Sequence, residues 1–395
     1  MERKVDVYNY DDIRPVTDDE VSATIEELIA CEGLETALRY VIPAIDWEAL
    51  KAKLRSCKTK AQFKSTISYD LVQTVAQLST SSLTISGGER ISQDACTFIS
   101  NHRDIVLDAA FLNVLLYDIG HGMTQIAIGD NLLIYPWIRP VFRLNNSFFV
   151  KRNVHARQKL EESKRLSTYI HRTIKEKNES VWIAQREGRA KDSNDTTQTS
   201  VLKMLNMGGE RDVLTNLMSL NIVPIAISYE YDPCDYLKAQ EFQLKRDNPD
   251  FEKSRRDDLL SMEMGILQHK GHVHFTIGCP INPTLAALPQ QKNKNELIND
   301  IALVIDREIY AHYQFYPINY IAYDMLNHTH SFDAQYNEQE VRDFEAYLQR
   351  QLDKINIPNK DEAFLRSKML EMYSNPLKNH LEDSRLEDGR QKTES

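Results

Sequence analysis

The sequence predicts an α/β protein, a central mixed sheet flanked by helices with helical extensions at both ends, and three observations carry that expectation. Short apolar runs alternate with amphipathic segments from Thr97 to Pro280, the alternation of strands and helices that builds an α/β layer. Before this stretch and beyond Pro283 the apolar residues recur at helical intervals instead. Between the first helical stretch and the α/β stretch, the run STSSLTISGG (Ser79–Gly88) gathers turn-forming residues.

Helical periodicity places the first elements at Val21–Cys31, Leu34–Val41, Trp47–Leu54 and Ala61–Leu78. Strands are expected at Thr97–Ser100, Thr124–Ile128, Ser147–Val150, Val181–Gln185, Ile222–Tyr229 and Val273–Ile277. Helices at Ile105–Leu116, Ala156–Glu176 and Thr199–Leu205 separate some of them. Three more helices follow, at Lys294–Tyr313, Glu338–Lys354 and Asp361–Tyr373. The last dozen residues, SRLEDGRQKTES, are polar enough to be disordered. The expected domains are an N-terminal helical region at 1–84, an α/β domain at 85–290, and a C-terminal helical region with a disordered tail at 291–395.

With 42% hydrophobic and 27% charged residues the chain has a globular composition, and 395 residues are ample to bury a catalytic site. Cys31, Cys57, Cys96, Cys234 and Cys279 show no paired spacing, which argues against a cysteine-based zinc module and fits a reducing compartment. The opening MERKVDVYNYDD has no apolar core of the kind a signal peptide needs. The apolar stretch Ile105–Ile119 is broken by Asp108, Asn113 and Asp118 and falls short of the roughly 20 residues that span a bilayer. A net charge of −10 argues against nucleic acid as a partner, but Lys151–Lys177 reverses the average with nine Lys or Arg against three Glu.

The stretch TFISNHRDIVLDAAFL (Thr97–Leu112) sets His102 at a strand-to-helix turn, with Asp108 near the first turn of the helix that follows. In such an arrangement the His can take a proton from an incoming hydroxyl while the Asp holds the other ring nitrogen in the correct tautomer. A histidine merely satisfied by its turn is the plainer alternative. His102–Asp104 spells HRD, yet a kinase catalytic loop needs an Asn where Ala109 stands, and no Gly-rich phosphate loop or Asp-Phe-Gly follows. His269, His272 and His274 form a second cluster without a carboxylate or Cys nearby, so no metal site is expected. Lys151 and Arg152 follow one expected strand, and Arg189 and Lys191 follow the next. Cations at the carboxyl ends of strands in one sheet point to an anionic substrate, most simply a phosphate.

The order of these pieces resembles the glycerolipid acyltransferases, and especially their bacterial glycerol-3-phosphate acyltransferase branch. ISNHRDIVLD (Ile99–Asp108) is similar to the family's His-(X)4-Asp block, and IAIGDNLLIYPWIRPVFRLNNSFFVKRN (Ile126–Asn153) to its long second block. WIAQREGRAK (Trp182–Lys191) resembles the Glu-Gly-x-Arg-x-Arg block, NIVPIAISYE (Asn221–Glu230) the block with a buried Pro, and GHVHFTIGCPIN (Gly271–Asn282) the closing strand. The resemblance spans roughly Ile91 to Asn282. Two departures stand out. Five residues rather than four separate His102 from Asp108, with Asp104 as the other candidate acid, and Gly188 runs straight into Arg189.

The resemblance implies the glycerolipid acyltransferase fold and an enzyme that moves a fatty acyl group from acyl-ACP or acyl-CoA to the hydroxyl of glycerol 3-phosphate or 1-acylglycerol 3-phosphate. It implies His102 and Asp108 as the catalytic pair and Lys151, Arg152, Glu187, Gly188, Arg189 and Lys191 as substrate-binding residues. No cofactor, metal or covalent acyl-enzyme is required. The product would be membrane lipid, so a peripheral protein at the cytoplasmic face is expected, with Lys151–Lys177 toward the bilayer. A hydroxylated lipo-amino acid acceptor, or an inactive lipid-binding relative, remains the alternative.

Overall fold

The computed structural model describes residues 8–152, 154–209, 211–289 and 292–391. Residues 1–7 of the N-terminal region, Asn153 at the end of the second block, the expected boundary at 290/291 and residues 392–395 of the tail lie outside the described residues.

Seven strands form one mixed sheet: β1 (Ser82–Ser86), β2 (Thr97–Ser100), β3 (Gln125–Gly129), β4 (Ser147–Val150), β5 (Val181–Ala184), β6 (Ile222–Tyr229) and β7 (His272–Ile277), in the order β1-β7-β6-β2-β5-β3-β4. Only β6 and β7 run antiparallel; every other neighbouring pair is parallel. The central strands are buried on both faces, and their near-continuous apolar runs follow from that. Phe98, Trp182 and Ile225 pack on one face against the helix Leu107–Asp118, while Ile99 and Ile183 pack on the other against the helices Ala156–Lys175 and Thr199–Asn206.

The expected turn at Ser79–Gly88 contains the edge strand β1, and the boundary drawn at 84/85 falls inside it. Its serines and threonine face a histidine row. His272 Nδ1 hydrogen-bonds Ser82 Oγ at 2.8 Å, and His274 bonds Thr84 Oγ1 at 2.7 Å and Ser86 Oγ at 2.9 Å.

The N-terminal helices Val21–Ala30, Leu34–Val41 and Trp47–Ser56 lead into a longer helical stretch, Lys60–Phe63 and Tyr69–Ser79, joined by a π-helical turn at Lys64–Ser68. They build their own core from Ile25, Leu28, Trp47, Leu54, Phe63 and Ile67, and dock through it on Leu144. The C-terminal helices Lys294–Ala311, Pro317–Asn327, Glu338–Asp353 and Glu362–Gln391 cover the other flank. Ile321, Phe344, Leu348, Leu365 and Met369 form a further core there. Of the tail expected to be disordered from Ser384, residues 384–391 are instead the last turns of the helix that runs to Gln391. Among the described residues no helix is long and apolar enough to cross a membrane.

Candidate active site

Strand β2 ends at Ser100, and Asn101 takes over its role in the sheet with a side chain. Its Oδ1 accepts from Ile227 N at 2.7 Å and its Nδ2 donates to Ile227 O at 2.9 Å. The loop 101–106 therefore leaves the sheet at a fixed point. His102 follows, its ring edge-on to Trp182 with centroids 5.7 Å apart.

His102 Nδ1 lies 2.8 Å from Asp108 Oδ2. The same oxygen accepts the backbone N–H of Arg103 at 2.6 Å and of Asp104 at 3.0 Å, so the loop wraps around a fully buried carboxylate. Nδ1 is committed to Asp108, which leaves Nε2 as the nitrogen not engaged by it. The five-residue spacing is absorbed before the helix, which begins at Leu107 rather than at the expected Ile105.

Asp104 does a different job. Its Oδ1 accepts from Val106 N at 2.8 Å and Leu107 N at 2.6 Å, which caps the helix that carries Asp108. Burial, and then the neighbouring Asp108 charge, push its carboxyl up from the ordinary range. Helix Arg255–Leu267 approaches it so closely at Gly265 that a Cβ there would collide with Asp104 Oδ2. Tyr229, at the end of β6, is buried beside Asp108 and Asp104; burial and those two charges hold its phenol well above its usual range.

Behind the loop, Arg103 forms a bidentate ion pair with Asp195 at 2.9 and 2.5 Å. Burial opposes the Arg103 charge, but Asp195, together with Tyr313 and Asp232, outweighs it and the guanidinium is held above its ordinary value. Asp195 also accepts from the Tyr313 hydroxyl at 2.6 Å, which links the loop to the C-terminal helices. Asp195→Ala would leave a buried arginine unpaired, at a cost of about 3–5 kcal/mol. Chemical denaturation should read that loss as a lower midpoint.

The expected substrate-binding residues divide. Lys151, Arg152, Glu187 and Gly188 line the same cavity as His102, and so does Arg186. Lys151 is engaged by Asp12 at 2.7 Å and Arg152 by Glu187 at 2.6 Å. Asn131 and Arg152 pass so close to Gly129 that a Cβ there would push both side chains aside. Arg186 Nε is buried without a hydrogen-bond partner among the described residues, whereas Lys191 is turned away into an ion pair with Glu241. Arg189 does not line the cavity; it lies close to Cys234, Asp104 and Asp232, and its Nη1 is buried without a partner among the described residues. Sequence reasoning passed over Arg186 and Tyr229, although the first stands next to Glu187 and the second ends an expected strand at the same edge of the sheet.

The cavity has a volume of about 570 Å³. Leu34, Leu38, Leu50, Phe63 and Leu71 of the N-terminal helices form one wall, and Ala109, Val114, Ile126 and Phe149 form the facing one. Leu166, Val201 and Met204 add apolar surface from the helices on the opposite face of the sheet. An ionisable pair at the edge of an apolar cavity is the arrangement in which a ligand-binding site is sought first. Among the described residues no group of His, Cys, Asp and Glu is placed to hold a metal.

A family model described as Acyltransferase matches residues 82–228, which takes in β1 to β6, the His102–Asp108 loop and the cations at the cavity. The chain thus carries an acyltransferase domain, and it is an acyltransferase. Among solved structures it is similar to the 1-acyl-sn-glycerophosphate acyltransferase of Thermotoga maritima, with 11% identity over 74% of this chain and 95% of that one and a TM-score of 0.33. No curated protein sequence matches the chain significantly.

Proposed function

We propose that the protein is an O-acyltransferase that moves a fatty acyl group from an acyl thioester, acyl-ACP or acyl-CoA, to the hydroxyl of glycerol 3-phosphate or 1-acylglycerol 3-phosphate. The observation that carries the proposal is the His102 Nδ1 to Asp108 Oδ2 contact of 2.8 Å at the edge of an apolar cavity. In the proposed reaction Nε2 of His102 takes the acceptor's hydroxyl proton as the oxygen attacks the thioester carbonyl. Asp108 stabilises the imidazolium that forms. Collapse of the tetrahedral intermediate breaks the C–S bond, and the proton passes from His102 to the departing thiolate. The N-terminal helices supply the wall against which the acyl chain packs, and the C-terminal helices brace the loop through Tyr313 and Asp195.

For the acceptor phosphate, Arg186 is the strongest candidate, because its Nε is buried without a partner. Lys151 and Arg152 stand beside it with acidic partners that a phosphate could displace. Arg186→Ala should raise the acceptor KM about tenfold or more and leave the donor KM near its starting value, as expected for loss of one charge-assisted contact. An equal rise in both constants in steady-state assays would count against the assignment.

Work at a membrane surface belongs to the same proposal. Exposed Leu160 on the helix Ala156–Lys175 favours contact with lipid. The basic strip has less charge to offer than its composition promises, since Arg165 is paired with Asp12 and Glu162, and Arg172 with Glu176. Sedimentation with anionic liposomes at increasing salt tests the remainder: binding should weaken as salt screens it.

A further inference from the structure

The cavity has a second polar end, away from His102 and Asp108. Lys64, Ser68, Asn145 and Ser147 line it there. Its location follows from the topology. Lys60 Nζ donates to Asn146 Oδ1 at 3.1 Å just before β4 begins, and the charges nearest Lys64 are Lys60, Glu179, which precedes β5, and Asp18. Since β2, β5, β3 and β4 are parallel, these groups sit at the opposite edge of the sheet from His102. Three inter-strand spacings and one strand length separate the two ends, roughly 20 Å. The lining between them, Val72, Val75, Ala110, Val114, Ile126 and Phe149, is apolar.

Two groups at this end lack partners. Lys64 makes no hydrogen bond or ion pair among the described residues; Glu179 is occupied by Gln125 Nε2 at 2.6 Å. The fully buried Ser147 hydroxyl has no hydrogen-bond partner among them either. Lys64 starts the π-helical turn Lys64–Ser68, an insertion that changes where the following side chains of a helix point and often marks a functional position. Burial, and then the nearby Lys60 charge, lower the Lys64 ammonium to about 8. A buried hydroxyl left unsatisfied is costly, and beside it the half-buried Lys64 ammonium, with no protein partner among the described residues, offers the charge that an anionic group would complete.

We infer that this end of the cavity binds the carboxylate of a long-chain fatty acyl compound, with the ammonium of Lys64 and the hydroxyl of Ser147 donating to it and the alkyl chain running toward His102. Two sources share this chemistry. One is a free fatty acid, which would occupy the space of the donor's chain and compete with it. The other is the far carboxylate of a dicarboxylic acyl donor. The inference rests on the reading of the cavity as an acyl-chain site and is independent of which acceptor is used.

The test uses the full chain and cis-parinaric acid, whose fluorescence rises on binding, alongside its methyl ester. Wild type should bind the acid about tenfold tighter than the ester, the weight of one charge-assisted contact. Lys64→Gln should erase that preference while binding the ester as wild type does; Ser147→Ala should reduce the preference only in part. Equal affinity for acid and ester in wild type, or an undiminished preference in Lys64→Gln, would overturn the inference. Binding of neither ligand would overturn it together with the reading of the cavity, whereas ester binding without acid preference would leave that reading standing. Kinetics then separate the sources. Palmitate competing with palmitoyl-CoA in wild type but not in Lys64→Gln identifies the free acid, and a higher kcat/KM for ω-carboxypalmitoyl-CoA that Lys64→Gln abolishes identifies the donor.

Discussion

His102→Ala should lower kcat by about 10²–10⁴-fold and leave the fold and the donor KM close to wild type, because it deletes the proposed base and little else. An alcohol cannot attack a thioester at useful speed while it keeps its proton. His102 Nε2 is the base that the geometry offers, since Nδ1 is committed to Asp108. The ring packs only edge-on against Trp182, so its removal leaves no large void in the core. The measurement is single-turnover transfer of a labelled acyl group, with circular dichroism as the control for folding. A variant that keeps more than about a tenth of wild-type turnover would assign the proton transfer to another group.

Asp108→Asn is the second large effect. The amide oxygen can still accept from Arg103 N and Asp104 N, now 2.6 and 3.0 Å from Asp108 Oδ2, so the loop should keep its course. What disappears is the negative charge beside the imidazolium, and where such a carboxylate is lost turnover falls by up to about 10⁴-fold. Asp104→Asn, by contrast, retains a side-chain oxygen to cap the helix at Val106 and Leu107 and should cost turnover far less. The comparison of kcat for the two variants discriminates sharply. If Asp104→Asn were the more damaging, Asp104 rather than Asp108 would serve His102 during turnover.

Much of the fold was legible because the buried strands leave strong signals. Thr97–Ser100, Ser147–Val150 and Ile222–Tyr229 are strands with the expected bounds, since each is an apolar run that only a doubly covered sheet accommodates. Strand β1 was missed for the opposite reason. At the sheet's edge, Ser82, Thr84 and Ser86 meet histidines instead of a core, and a sequence of serines and threonines reads as a turn although Leu83 and Ile85 alternate correctly. The helix running to Gln391 was underread because its end is polar and lacks the apolar spacing of its first half.

The geometry of the candidate site was legible in part. His102 and Asp108 are local in sequence, and the structure brings them within hydrogen-bond distance. The cations were placed by strand position alone, which says where a residue stands and not what it meets: Lys191 ends in an ion pair with Glu241. Arg103 illustrates the same limit, because its partner Asp195 is remote in sequence and no local pattern signals a buried ion pair. The cavity could not be read at all, since its walls come from helices and strands spread from Leu28 to Ile266.

The most direct measurement of the central claim is an acceptor assay with purified protein, palmitoyl-ACP or palmitoyl-CoA, and glycerol 3-phosphate or 1-acylglycerol 3-phosphate, with the lipid product identified by mass spectrometry. The account predicts an ester of one of these acceptors, formed by wild type and lost in His102→Ala. Product formation that persists undiminished in His102→Ala, or acylation of neither acceptor from either thioester by a folded wild-type protein, would contradict it.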